Sequence, residues 1–153
     1  MKLRYYIDTS VIGGCLDKEF KNVSQNLIEK FKSAEITAVI SELTKVELKK
    51  APKQVQKILG EIPEENQELV KLTWEAVELA EKYISHGVIG KGKLVDAEHI
   101  AIATINRVDV LVSWNFRHIV NLEKIRGYNA VNLINGYPTI EIRSPQEVIR
   151  YEE

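Results

Sequence analysis

Leu3-Arg4-Tyr5-Tyr6-Ile7-Asp8-Thr9-Ser10-Val11-Ile12 decides the fold. It opens as a short aromatic and apolar run suited to a buried strand. It stops at a carboxylate followed by two hydroxyls. Open α/β sheets place their ligands beyond the carboxyl ends of such strands. The stretch therefore predicts a first strand over Leu3–Ile7, with Asp8 as the first member of an acidic metal site. Val11–Leu16 reads as a short helix. Gly13-Gly14 either keeps side-chain bulk away from the residues after Asp8 or marks a simple turn.

Working outward, Asn22–Ala34 is an amphipathic helix with Val23, Leu27 and Phe31 on one face. Ile36–Ile40 is a second strand. Ser41 caps a helix that starts at Glu42 and carries Glu47 on a partly buried face. Pro52 opens the next helix, which ends near Leu59. Leu69–Leu72 is a short strand or the lead-in to the helix Thr73–Ser85, which stops at His86-Gly87. Gly87–Lys93 carries glycines and lysines without the spacing of a phosphate loop, so it is read as a mobile basic loop near the site. Asp96–Asn106 is apolar almost all round, the pattern of a buried central helix. Asp109–Ser113 is a strand that ends in Trp114-Asn115-Phe116. Val120–Ile134 is helical, Thr139–Ile142 is a last strand, and Ser144-Pro145 opens a terminal turn. Strands alternate with helices throughout. That order predicts one α/β domain over 1–153, with a mostly parallel central sheet and helices on both faces.

Composition narrows the function classes. The net charge is −1, so nothing global drives the chain onto nucleic acid or an anionic membrane. A polyanionic partner must be held by a local patch or a metal. The single cysteine, Cys15, excludes an internal disulfide and fits a reducing compartment. The first apolar run is too short for a signal peptide, and no run reaches the ~18 residues that suggest a membrane span. A soluble cytoplasmic protein without membrane contact is expected.

Four positions carry the candidate chemistry: Asp8 after the first strand, Glu47 after the second, Asp96 opening the buried helix, and Asn115 after the strand at 109–113. Loops after parallel strands gather at one sheet edge, so residues distant in sequence can meet there. Three converging carboxylates repel one another unless some are protonated or a cation joins them. Hard oxygen donors favour Mg²⁺ or Mn²⁺ over zinc. Such a site suits phosphodiester hydrolysis. Each acid also has a plainer role, as a turn residue, a solvated helix charge or a helix cap. Ser10 orients a ligand, contacts a phosphate or caps the helix after it. His99, three residues after Asp96 on one helical face, approaches the site or donates to Asp96, or is a hydrogen-bonded core residue. Arg117 and His118 meet a phosphate or are solvated surface. Lys45, Lys49, Lys50, Lys91 and Lys93 form a basic rim or are ordinary surface charges. Trp74 and Trp114 pack in the core, with base stacking the alternative.

Four motifs, in order, resemble those of the PIN-domain family, and within it the VapC-type toxin ribonucleases. They are Ile7-Asp8-Thr9-Ser10-Val11, Ser41-Glu42-Leu43-Thr44-Lys45-Val46-Glu47-Leu48, Asp96-Ala97-Glu98-His99-Ile100-Ala101-Ile102-Ala103 and Leu111-Val112-Ser113-Trp114-Asn115-Phe116. The resemblance implies a three-layer α/β/α sandwich and Mg²⁺- or Mn²⁺-dependent cleavage of RNA. It implies an RNA substrate, a small antitoxin partner and a homodimer. Asp8, Glu47 and Asp96 match the family's first three acidic positions as metal ligands. Asn115 stands where many members have a fourth acid, which puts a two-metal mechanism in doubt. A catalytically weakened domain that binds RNA or protein is the alternative.

Overall fold

The computed structural model describes residues 2–150. The ends of the expected 1–153 domain, residues 1 and 151–153, lie outside the described residues. Five strands form one sheet: β1 (Arg4–Ile7), β2 (Thr37–Ser41), β3 (Gln67–Val70), β4 (Val110–Val112) and β5 (Ile142–Arg143). Their order is β3-β2-β1-β4-β5, and every pairing is parallel.

The helices are α1 (Thr9–Gly14), α2 (Lys21–Lys32), α3 (Glu42–Lys49), α4 (Lys53–Gly60), α5 (Trp74–Ser85), α6 (Leu94–Ile105), α7 (Leu122–Ile134) and α8 (Pro145–Arg150). The alternation of side chains along each strand sorts them into two layers. Tyr6 pairs with Val39 and Leu111 in register, and all three join one core with α5, α6 and α7. Tyr5, Ala38, Ile7 and Val112 face the other way, onto α1, α2 and α8. Burial on both faces explains why β1 and β2 read as apolar runs rather than alternating ones.

The α6 helix is buried from Ala97 to Thr104, as its all-round apolar pattern predicts. Ser41 caps α3 by accepting the Thr44 N–H at 3.2 Å. Leu69–Leu72 resolves as a strand, shifted to Gln67–Val70 at the sheet edge.

Two expectations are corrected. The last strand is Ile142–Arg143, not Thr139–Ile142. Asn129 of α7 takes both backbone groups of Ile140: its Oδ1 accepts the N–H at 2.7 Å and its Nδ2 donates to the carbonyl at 3.1 Å. That clamp gives the segment a partner other than the sheet. Trp114 is buried as expected, stacked on Phe20 with ring centroids 4.1 Å apart. Trp74, expected in the core, is 82% exposed. It lies with Glu78 and Glu81 on the face of α5 opposite Ala76, Leu79, Ala80 and Tyr83. No helix among the described residues is long and apolar enough to cross a membrane.

Candidate active site

The chain winds from β1 outward to β3, then returns to lay β4 against the free side of β1. The direction of winding reverses between β1 and β4. A crevice at the carboxyl ends of two such strands is where open parallel sheets bind ligands.

Asp8 follows β1 directly and is 5% exposed. Ser10 Oγ donates to its Oδ1 at 2.6 Å, and Ser113 Oγ donates to Oδ2 at 2.7 Å. Both hydroxyls also reach the loop after β4. Ser10 Oγ accepts the Trp114 N–H at 2.9 Å, and Ser113 Oγ accepts the Asn115 N–H at 3.0 Å. The carboxylate is thus the knot between the two loops. Burial pushes its pKa up, against the pull of His99, both serines and the Val11 N–H. Ser10 is therefore placed as a holder of Asp8, a role the residues alone did not suggest. Ser113 was missed, although it closes the strand just before Trp114-Asn115.

Glu47 is half-buried on α3. Its Oε1 accepts from Thr9 Oγ1 at 2.9 Å and from His99 Nε2 at 2.8 Å. Burial raises its pKa, but the bonds from His99 and Thr9 and nearby positive charge outweigh that, and the net shift is downward. His99 lies one turn beyond Asp96 on α6 and is 2% exposed. Its Nδ1 meets the Tyr6 hydroxyl at 2.5 Å. Both ring nitrogens are engaged inside the protein, and Glu47, not Asp96, is its acidic partner.

Asp96 sits in the first turn of α6 and receives Asn115 Nδ2 at 3.4 Å. Asn115 Oδ1 accepts the His118 backbone N–H at 3.0 Å. A backbone N–H can only donate, so this bond fixes which way the amide points. The oxygen faces the turn after β4 and the NH₂ faces Asp96. In this arrangement Asn115 donates to Asp96.

The contacts close a circuit. Glu47 joins Thr9, the residue after Asp8; Asp8 joins Ser113; Ser113 joins Asn115; Asn115 joins Asp96; and α6 returns through His99 to Glu47. Thr9, Glu47 and Asp96 line one cleft of about 670 Å³ with Lys50, Lys91 and Lys93. Three of the five lysines read as a rim are thus beside the acids. Lys45 lines a separate groove with Gln56 and Leu69. Arg117 is exposed, and His118 is partly buried with its Nδ1 lacking a partner. Burial lowers the His118 pKa, Asp96 opposes this, and Lys93, Arg117 and Lys124 reinforce it. Of these cations, Lys93 lines the cleft with Asp96.

Among the described residues, no group of three or more His, Cys, Asp and Glu side chains stands as a metal site. The donor chemistry nevertheless suits a hard cation. All three acids offer oxygen, and each keeps acceptor capacity beyond the bonds it already makes.

No protein-family model matches the sequence, and no curated protein matches it. Solved structures do match. VapBC2 from Rickettsia felis, bound to a DNA fragment from its promoter, has a chain that is 14% identical with a TM-score of 0.59. The match covers 93% of this chain and 98% of that one. A toxin–antitoxin complex from Klebsiella pneumoniae is 17% identical over 74% of this chain and 88% of that one, with a TM-score of 0.56. Mycobacterium tuberculosis VapC20, described as a sarcin–ricin loop cleaving toxin, is 11% identical over 74% of this chain and 92% of that one, with a TM-score of 0.59. At these identities the likeness establishes the fold. The chain has the PIN-like α/β/α architecture of the VapC toxins.

Proposed function

We propose that the chain is a single-domain, divalent-metal-dependent endoribonuclease, over residues 1–153, that cuts RNA phosphodiester bonds. It acts as the toxin of a toxin–antitoxin pair, in the cytoplasm, as a homodimer restrained by a small antitoxin. The observation that carries this reading is the hydrogen-bonded circuit that links Asp8 to Glu47 and Asp96, the latter two lining one cleft. Neighbours of the same fold described as an RNA-cleaving toxin and as toxin–antitoxin complexes support it.

Asp8 and Asp96, with Glu47, would hold Mg²⁺ or Mn²⁺. When bound, the cation supplies Lewis-acid charge against the phosphoryl group. The rest falls to the chain itself. Ser10 and Ser113 hold Asp8 in one rotamer, and Thr9 and His99 hold Glu47. Asn115 steadies Asp96 from the other loop. Lys50, Lys91, Lys93 and Arg117 attract the RNA backbone locally, which a chain of net charge −1 requires. Purified protein is expected to cut members of a broad RNA panel in Mg²⁺ or Mn²⁺ and to stop when a chelator is added. Cleavage indifferent to chelation would sink the metal assignment.

The second reading, an RNA- or protein-binding module without turnover, is favoured by Asn115, which brings no charge and spends its oxygen on His118. RNA retained on the protein, with no product under any metal, would favour that alternative. Asn115→Asp tests the same position from the other side. It keeps the acceptor for His118 but sets a second carboxylate against Asp96. The metal-free variant is expected to melt roughly 2–4 °C lower. Mn²⁺ is expected to raise its melting temperature more than that of the wild type, as thermal scans with and without the ion would reveal.

A further inference from the structure

His99 and Tyr6 are too deep to meet RNA, at 2% and 0% exposure. Their bonding is nonetheless directed at the cleft. A histidine that merely fills a core can pair with any nearby carbonyl. Here both ring nitrogens go to side chains. Nε2 bonds Glu47 Oε1 at 2.8 Å, and Nδ1 meets the Tyr6 hydroxyl at 2.5 Å. The same hydroxyl donates to Ser41 Oγ at 2.8 Å. Ser41 is the N-cap of α3, the helix that carries Glu47. The line therefore leaves α3 at its cap, crosses β1 and α6, and returns to α3 at its functional side chain. The Tyr6 and His99 rings meet edge to face, with centroids 5.7 Å apart, so the imidazole is also confined by packing.

We infer that His99, braced by Tyr6 and Ser41, is a positioning residue that fixes the Glu47 carboxylate at the mouth of the cleft. A glutamate has three side-chain torsions, and a half-buried one on a helix flank can turn to solvent. Thr9 holds it from one side only. The His99 bond falls on the same oxygen, Oε1, from a second direction, so the two donors together pin that atom. The inference rests on the nuclease reading only for its functional consequence. The strut itself is a property of the metal-free protein.

The test compares His99→Gln, which keeps an N–H for Glu47, with His99→Leu, which does not, and with Tyr6→Phe, which removes only the hydroxyl. The first readout is ¹³C NMR of the Glu47 side-chain carboxyl without metal. The second is Mn²⁺ binding by calorimetry. His99→Leu is expected to shift and average the carboxyl resonance and to weaken Mn²⁺ binding about tenfold or more, the usual scale for losing a partner behind a metal ligand. His99→Gln is expected to recover most of both, and Tyr6→Phe to show a smaller change in the same direction. Tyr6→Phe preserves volume, so it carries the test if His99→Leu does not fold. A Glu47 resonance unchanged in folded Tyr6→Phe and His99→Leu, or in folded Tyr6→Phe alone if the leucine variant fails, overturns the inference whatever the RNA data say. A changed resonance alongside full RNA cleavage by Asp8→Asn would overturn the nuclease reading and leave the strut standing.

Discussion

Asp8→Asn is expected to abolish RNA cleavage, by about a thousandfold or more, and at the same time to raise the melting temperature. The first effect follows from the proposed role of the carboxylate as a metal ligand. Charge stabilisation by a divalent ion contributes several kcal/mol, and each 1.36 kcal/mol is about tenfold in rate. Removing a charged ligand forfeits much of it. The second effect follows from burial. The folded pKa of Asp8 lies above its ordinary value because desolvation outweighs its hydrogen bonds. Such a group contributes stability that is complete below the unfolded pKa and is lost as pH rises through the folded one. At pH 7 the charged form therefore weighs against the fold. Asparagine stays neutral, keeps the shape and can still pair with Ser10 and Ser113. A gain of about 1 kcal/mol, or roughly 2–4 °C, is expected at pH 7, shrinking as pH falls toward 4. Glu47 has the opposite sign. Its pKa is lowered, so its contribution is present above the unfolded value and is lost as pH falls through the folded one. Calorimetry of wild type and variant across this range, beside a cleavage assay, checks both halves. Wild-type cleavage by the variant would remove Asp8 from the site.

Gly14→Ala is expected to be the most damaging single-methyl change near the crevice. A Cβ there would lie 2.5 Å from Ser24 Oγ and 2.8 Å from Trp114 Nε1. Those two atoms are bonded to each other at 2.8 Å, so the methyl would land on the bond itself. Trp114 cannot retreat easily, because Phe20 stacks on its face and Ser10 holds its backbone N–H. Overpacking of this kind costs about 1–3 kcal/mol, a fall of roughly 2–12 °C for a domain of this size. Asn115 is the next residue, so activity is expected to fall with it. Gly13→Ala is the internal control. Nothing lies within 4 Å of its Cβ position. In a helix that change is expected to be neutral or stabilising by up to about 1 kcal/mol. Thermal melts of the pair settle the point: equal loss in both would mean that space around Trp114 is not the cause.

The contrast between these glycines also marks how far the sequence could be read. Gly13-Gly14 suggested either a space requirement or a turn, and only Gly14 has the former. Spacing along a helix does not reveal which side a distant tryptophan will come to occupy. The architecture was legible where burial is continuous, as in Tyr5-Tyr6-Ile7 and in α6, because parallel strands and a central helix are apolar all round. It was less legible at the sheet edges. Edge strand β3 exposes Leu69 at 58%, and β5 is displaced by the grip of Asn129 on Ile140, a long-range bond with no local signal. Trp74 was misplaced by its hydrophobicity, although the period of α5 sets it among glutamates. In the site, Asp8, Glu47, Asp96 and Asn115 are charged or amide-bearing residues at element ends, and such residues announce themselves. Their supports do not. Thr9, Ser113, Tyr6 and Ser41 look like ordinary strand and cap residues until the sheet brings them together.

The winding order of the sheet has a consequence for the order of synthesis. A ribosome making this chain releases Asp8 and Glu47 early, with β1, β2 and β3 able to pair among themselves. The other wall of the crevice, Asp96 with Ser113 and Asn115, follows only after the segment carrying β3 and α5 has been made. Until β4 docks beside β1, a nascent chain has half a crevice, and Asp8 lacks the Ser113 bond that ties it to the second loop. The candidate site is therefore assembled late, by the strand that reverses the winding of the sheet.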